Sequence, residues 1–260
     1  MPGFFCEQKE GEKRGKLAKK MTAEDKNGMI AANVNSFTKK KPAEECEKSG
    51  DNCSTKSRRE KAHQAGMEKG GRTMTREEAH TILMKYMEGE NYILHSYAVE
   101  AIMRGLAKRL DPDSVEKWGI AGLLHDLDEE QCDWRNDMKV HGPTSVEILK
   151  KEGVEDQELF DAICAHNPKC GVKAKTPIQY ALLAADPMSG FVKAVAQIYP
   201  DKKIASVKPK SVLKRFNEMR FAAGANRDYM EAIEFTGLRL EDLVDVALEE
   251  MGAISDTLGL

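Results

Sequence analysis

Gly122-Leu123-Leu124-His125-Asp126-Leu127-Asp128 is an apolar run that ends in an imidazole and a carboxylate, side by side. A neutral histidine and an ionised aspartate are both good ligands for a divalent metal. Adjacent residues on a helix point about 100° apart, so the pair cannot complete a metal site alone. Other segments must supply the remaining ligands. Four candidates stand around it: His95, His141, His166 and Asp186.

The stretch belongs to a helix that starts near Asp113 or Ser114 and holds Trp118, Ile120, Leu123 and Leu124. Gly119, Ala121 and Gly122 lie among them. The glycines cost helix propensity; here the small residues allow a neighbouring helix to approach closely. Upstream, Thr75-Arg-Glu-Glu78 is a capping box. The apolar spacing of Ala79, Ile82, Leu83, Tyr86 and Met87 extends that helix to Gly89. His80 shares it among polar neighbours and reads as a surface residue. A second helix runs from Asn91 to about Leu110, with Leu94, Ala98, Ile102 and Leu106 as its buried stripe and His95 beside it.

Downstream, Asp128-Glu-Glu130 and a loop around Trp134 precede His141-Gly-Pro143, where proline suits the start of a helix that ends at Gly153. Residues 156–166 form a short helix closing on His166-Asn-Pro168. Thr176-Pro177 opens another that ends at Asp186-Pro187, and the segment from Phe191 to Tyr199 is again helical. Three more helices are expected, from about Lys210 to Phe221, Arg227 to Phe235 and Leu240 to Ile254. No strand and no internal repeat stands out. Residues 74–260 therefore read as one all-α bundle.

Residues 1–73 differ. They carry an excess of lysine and arginine, whereas the rest of the chain is acidic. Their lack of periodic apolar residues predicts a disordered charged tail, with Lys39-Lys40-Lys41 and Lys56-Ser-Arg58-Arg59 as solvated charge clusters. Met74 is a candidate start of the natural protein. Nothing approaches the roughly 20 apolar residues of a membrane span, and the six cysteines form no paired framework. These features predict a cytoplasmic protein with free thiols. The acidic body argues against nucleic-acid binding through that body, and the oligomeric state is not legible.

Four of the five histidines after residue 74 belong to the candidate set. Asp126 and Asp186 sit in apolar context, where a buried carboxylate needs a partner. The order His95, His125-Asp126, then Asp186 in Leu-Ala-Ala-Asp186-Pro resembles the HD-domain superfamily of metal-dependent phosphohydrolases, across about residues 75–200. The added His141 and His166 match the branch with additional ligands, and the likeness is greatest to small HDIG-type proteins. After His125-Asp126 this chain has Leu127-Asp128 where the HDIG signature has Ile-Gly. It also lacks the Gly-Tyr-Pro signature of cyclic-dinucleotide phosphodiesterases. The resemblance therefore does not extend to a substrate.

What the resemblance implies is a helical HD bundle that hydrolyses a phosphate ester or anhydride, most readily of a nucleotide. One metal would take His95, His125, Asp126 and Asp186. A second would share Asp126 with His141 and His166. Mixed nitrogen and oxygen ligands suit Fe, Mn or Zn rather than Mg. A metal-activated hydroxide would attack phosphorus in line, with Asp126 and Asp128 as catalytic carboxylates and Glu129 a further candidate for holding a proton. Lys169 and Lys173 are the candidate phosphate-binding residues. Lys210, Lys214, Arg215 and Arg220 read as a charged solvent face rather than a clamp. Two other readings share the ligand set: a diiron oxygenase, and a non-catalytic nucleotide-binding signalling module.

Overall fold

A computed structural model describes residues 74–260. The expected tail and its basic clusters lie outside the described residues. Among the described residues the structure is all helical, with ten α-helices and four 3-10 turns. No helix among them is long and apolar enough to cross a membrane.

The first helix, α1 (Arg76–Tyr86), starts at the expected capping box. Glu78 N donates to Thr75 Oγ1 at 3.3 Å, and Thr75 N donates to Glu78 Oε2 at 3.0 Å. Two backbone donors at the helix start are thereby satisfied. His80 on α1 is half-buried rather than a free surface residue, and its Nε2 lies 2.7 Å from Tyr97 Oη. The next helix, α2 (Glu90–Leu110), presents the predicted stripe to the core. After the 3-10 turn Pro112–Ser114 comes α3 (Val115–Leu124), buried continuously from Trp118 to Leu124.

The pairing of α2 with α3 is the most extensive in the fold, and the glycines explain it. A Cβ on Gly122 would fall 2.8 Å from Val99 O and 2.9 Å from Glu100 N. These are backbone atoms that cannot step aside. The helices touch backbone to backbone, which holds the His125-Asp126 end of α3 against α2, where His95 resides.

Two short helices follow, α4 (Pro143–Lys151) and α5 (Gln157–His166). Gly142 precedes α4 at φ +92°, a conformation that favours glycine. Asp156 caps α5 through Leu159 N at 3.1 Å. The long helix α6 (Pro177–Gln197) departs from expectation. The sequence predicts a break at Asp186-Pro187, yet the helix runs on through Pro187. Proline lacks the N–H for one helical bond. However, Ala181 to Ala185, Met188, Phe191, Val192 and Val195 are all buried on one continuous core surface, and that packing outweighs the local cost.

The C-terminal part holds α7 (Pro209–Phe216), α8 (Arg227–Glu231), α9 (Leu240–Ala253) and α10 (Ser255–Leu258). The predicted Lys210–Phe221 helix is thus shorter. The predicted Arg227–Phe235 helix divides into α8 and a 3-10 turn, Ala232–Thr236. The ninth helix packs on α2, α6 and α7, joining the late helices to the same core.

Candidate metal centre

His95 comes from α2, His125 and Asp126 from the end of α3, His141 from the loop before α4, His166 from the end of α5, and Asp186 from the middle of α6. All six meet in two groups that share Asp126. His95, His125, Asp126 and Asp186 form one, and Asp126, His141 and His166 form the other. Within each group the ligand atoms lie within 4.8 Å of one another.

The two oxygens of Asp126 divide between these groups. Oδ2 is 3.4 Å from His95 Nε2 and 3.2 Å from His125 Nε2. Oδ1 is 3.4 Å from His141 Nε2 and 3.3 Å from His166 Nε2. Asp186 Oδ1 joins the first group, 3.2 Å from His95 Nε2 and 3.9 Å from His125 Nε2.

Each imidazole is held from behind at Nδ1. His125 Nδ1 bonds Gly122 O at 2.8 Å, and His166 Nδ1 bonds Ile163 O. Both acceptors are helix carbonyls three residues back, so the helix ends themselves orient these rings. His95 Nδ1 donates to Ser189 Oγ at 3.0 Å; that hydroxyl in turn donates to Asp186 O at 2.9 Å. His141 Nδ1 donates to Asp128 Oδ1 at 2.9 Å. In the neutral form each ring then carries its proton on Nδ1 and directs the Nε2 lone pair into the centre.

That arrangement fits metal ions. His141 Nε2 and His166 Nε2 are 3.0 Å apart; two lone pairs at that separation repel unless a cation or proton lies between. His125 Nε2 and Asp126 Oδ1 are buried without a hydrogen-bond partner, an arrangement that a buried polar atom rarely tolerates. A proton is the other cation that can satisfy the cluster. Burial disfavours the imidazolium of His95, but Asp126 and Asp186 outweigh it and raise its pKa to about 10. His141 is also opposed by burial and is raised to about 11 by Asp126 and Asp128. Burial opposes ionisation of Asp126 too, yet His125, His141 and His166 hold it well below the usual carboxylate range.

Asp128 is fully buried and does not face the cluster directly. Its Oδ1 holds His141; its Oδ2 accepts Gly142 N at 2.7 Å and Ser145 N at 3.3 Å. Both oxygens are therefore engaged with the start of α4. Glu129, the next residue, is partly exposed, and burial followed by the charge of Asp126 pushes its pKa up to about 7. Lys169 and Lys173 are exposed and make no side-chain hydrogen bond or ion pair. Neither lines the groove that opens on the cluster.

That groove, about 450 Å³, is lined by His95, Asp186 and Pro187 and by residues of the segment after α7, including Asn226 and Tyr229. Sequence reasoning singled out none of the latter, because nothing in their order places them beside Asp186. It read Ser189-Gly190 as a tight backbone feature beside the site or a break between helices, and missed the Ser189 hydroxyl and Asn167 as supports. Asn167 Nδ2 donates to Met138 O at 2.6 Å and His141 O at 2.9 Å, tying the two histidine loops together.

The all-helical fold thus brings together a His/Asp cradle that could hold metal ions. A scan against protein-family models matches residues 92–205 to the HD domain. Residues 92–205 are thus similar to the HD domain, and all six candidate ligands fall inside the matched region. Searches of curated proteins and of solved structures found no match.

Proposed function

We propose that this chain is a phosphohydrolase using two divalent ions, Fe or Mn with Zn as an alternative, to cleave a phosphate ester or anhydride of a small, most readily nucleotide, substrate. The observation that carries this reading is the division of Asp126, with one oxygen facing each group of imidazoles. A carboxylate so placed suits a bridge between two cations.

His95, His125, Asp126 and Asp186 would hold one ion, and Asp126, His141 and His166 the other. Bound there, divalent ions supply Lewis acidity that neutralises charge on phosphoryl oxygens and acidifies water. The protein's own groups do the rest. Ser189, Asp128 and two helix carbonyls fix the imidazole orientations. Asp128 acts as a positioning residue for His141 rather than a proton carrier, since both its oxygens are occupied. Glu129, held near neutrality, is the carboxyl suited to hold a proton and release it to a departing oxygen. The groove admits the rest of the substrate. Lys169 and Lys173 have exposed ammonium groups without a partner among the described residues, which fit a role in attracting phosphate rather than in fixing it.

The test is phosphate release from a panel of nucleotides and phosphate esters, using protein purified anaerobically and loaded with Mn or Fe. Substitution of His125→Ala or Asp126→Ala is expected to lower turnover by a factor of about 10³ or more, as loss of a central electrostatic group does. Full activity in both variants would remove the metal mechanism. Oxygen uptake by the ferrous protein with no phosphate release from any panel member would point instead to the diiron oxygenase.

A further inference from the structure

The groove over the metal ligands is completed by residues outside the 92–205 match. They belong to the 221–226 segment and the first turn of α8. This segment has little reason to keep a shape by itself. It is short, contains Ala222, Ala223 and Gly224, and sets Ala222 at φ +43°. A residue with a Cβ adopts that conformation only when the surroundings impose it.

Arg227 imposes it. Its side chain is buried, with no carboxylate partner. Its guanidinium instead donates to Ala222 O at 2.7 Å, to Ala225 O at 2.6 Å and to Phe221 O. Its Cζ lies 4.6 Å from the Phe191 ring centroid and 5.9 Å from that of Phe216. Burial without a counter-ion disfavours the charge. Both terminal nitrogens of the cation are committed to one turn of backbone that lines the groove, while its buried Nε has no hydrogen-bond partner among the described residues.

The wall so held presents two unused groups. Asn226 Oδ1 accepts Tyr229 N at 3.3 Å, and the Nδ2 amide group of Asn226 has no partner among the described residues. Tyr229 is half-buried and lines the groove, yet its ring stacks on no other ring and its hydroxyl makes no hydrogen bond among the described residues. No lysine or arginine among the described residues lines the groove. Its complement beyond the reacting phosphate is thus flat, uncharged and able to accept a hydrogen bond.

We propose that this wall selects the substrate: the group esterified to phosphate carries a neutral aromatic heterocycle of the nucleobase class. That ring lies on Tyr229 and accepts a hydrogen bond from Asn226 Nδ2, and Arg227 is the positioning residue that holds the wall. The reacting end of this proposal rests on the phosphohydrolase reading; the ring contact does not.

The experiment uses the full chain, metal-loaded, with 5′-AMP, ribose 5-phosphate and adenosine as probes. The ratio of kcat/KM for 5′-AMP over ribose 5-phosphate is expected to exceed one clearly and to fall about tenfold in Tyr229→Leu, the scale of one base–aromatic stack. Tyr229→Phe, which keeps the ring, is expected to retain the ratio. Arg227→Met is expected to lose it, with metal content unchanged as the check that the domain has folded. A merely structural role would lower both substrates alike. Equal handling of both phosphates by the unmodified protein, or a ratio that survives Tyr229→Leu, overturns the proposal. If neither phosphate is hydrolysed, adenosine binding by calorimetry decides the ring site, and the wider nucleotide panel decides the phosphohydrolase reading. Saturable binding weakened in Tyr229→Leu supports the site, and no binding overturns it.

Discussion

Asp126 and Asp128 stand two residues apart and do different work. The oxygens of Asp126 face two sets of Nε2 atoms, whereas those of Asp128 face the back of one imidazole and the start of α4. Asp126→Asn should therefore weaken both metal groups, and Asp128→Asn only the one containing His141. Outer-shell partners of metal-bound histidines typically contribute about 10- to 100-fold in affinity. Metal analysis after dialysis is expected to find about one ion retained in Asp128→Asn, and loss of both sites in that variant would contradict the division. The pKa values add a pH dependence. With His95 at about 10 and His141 at about 11, the metal-free cluster is protonated at neutral pH. A metal must displace those protons, so linkage makes affinity rise with pH. Calorimetry in buffers of different ionisation enthalpy should register proton release on binding, and a pH-independent affinity between pH 6 and 8 would contradict it. At this scale the candidate ligands that meet in the cluster were legible as unusual His and Asp positions. Ser189 was not, because a serine acquires its role only from the imidazole it happens to meet.

Among the elements, α3 shows why small residues stand next to the ligands. Gly122 permits contact with the α2 backbone, where a Cβ would meet atoms at 2.8 and 2.9 Å. Gly122→Ala should cost about 1–3 kcal/mol through overpacking, or roughly 2–10 °C in Tm for a domain of this size. Metal content should fall with it, because His125 and Asp126 move with the helix end. Gly252 in α9 has open space where a Cβ would stand. Gly252→Ala should stabilise by up to about 1 kcal/mol from helix propensity alone. Thermal unfolding of both variants checks the pair; a neutral Gly122→Ala would mean that the helices are not in such close contact. The element that sequence reading divided is α6. The Asp186-Pro187 pair is a sound local stop signal, but the buried surface on both sides of it runs on without interruption. Periodicity windows see the proline and not the partner helices.

For the whole molecule, the candidate metal centre would also be a structural tie, since its residues come from α2, α3, α5, α6 and the loop before α4. Ions that bind only the folded state stabilise it by mass action, by about 2.7 kcal/mol when free metal is 100 times Kd. Chelation should therefore lower Tm by several degrees and restore on reloading. An unchanged Tm would argue that the cluster holds no ion. The sequence by itself determined the helical class, through 3.6-residue periodicity and capping residues, and it singled out six candidate ligands, because buried carboxylates and clustered imidazoles are costly without a shared partner. Only the tertiary structure decided how that set divides around Asp126, which carboxylate supports rather than faces the cluster, and which late residues line the groove. Those are distances between segments as much as 134 residues apart, from His95 to Tyr229. Local pattern carries no information about such distances; they arise when α2, α3, α6 and the segment after α7 pack around one core.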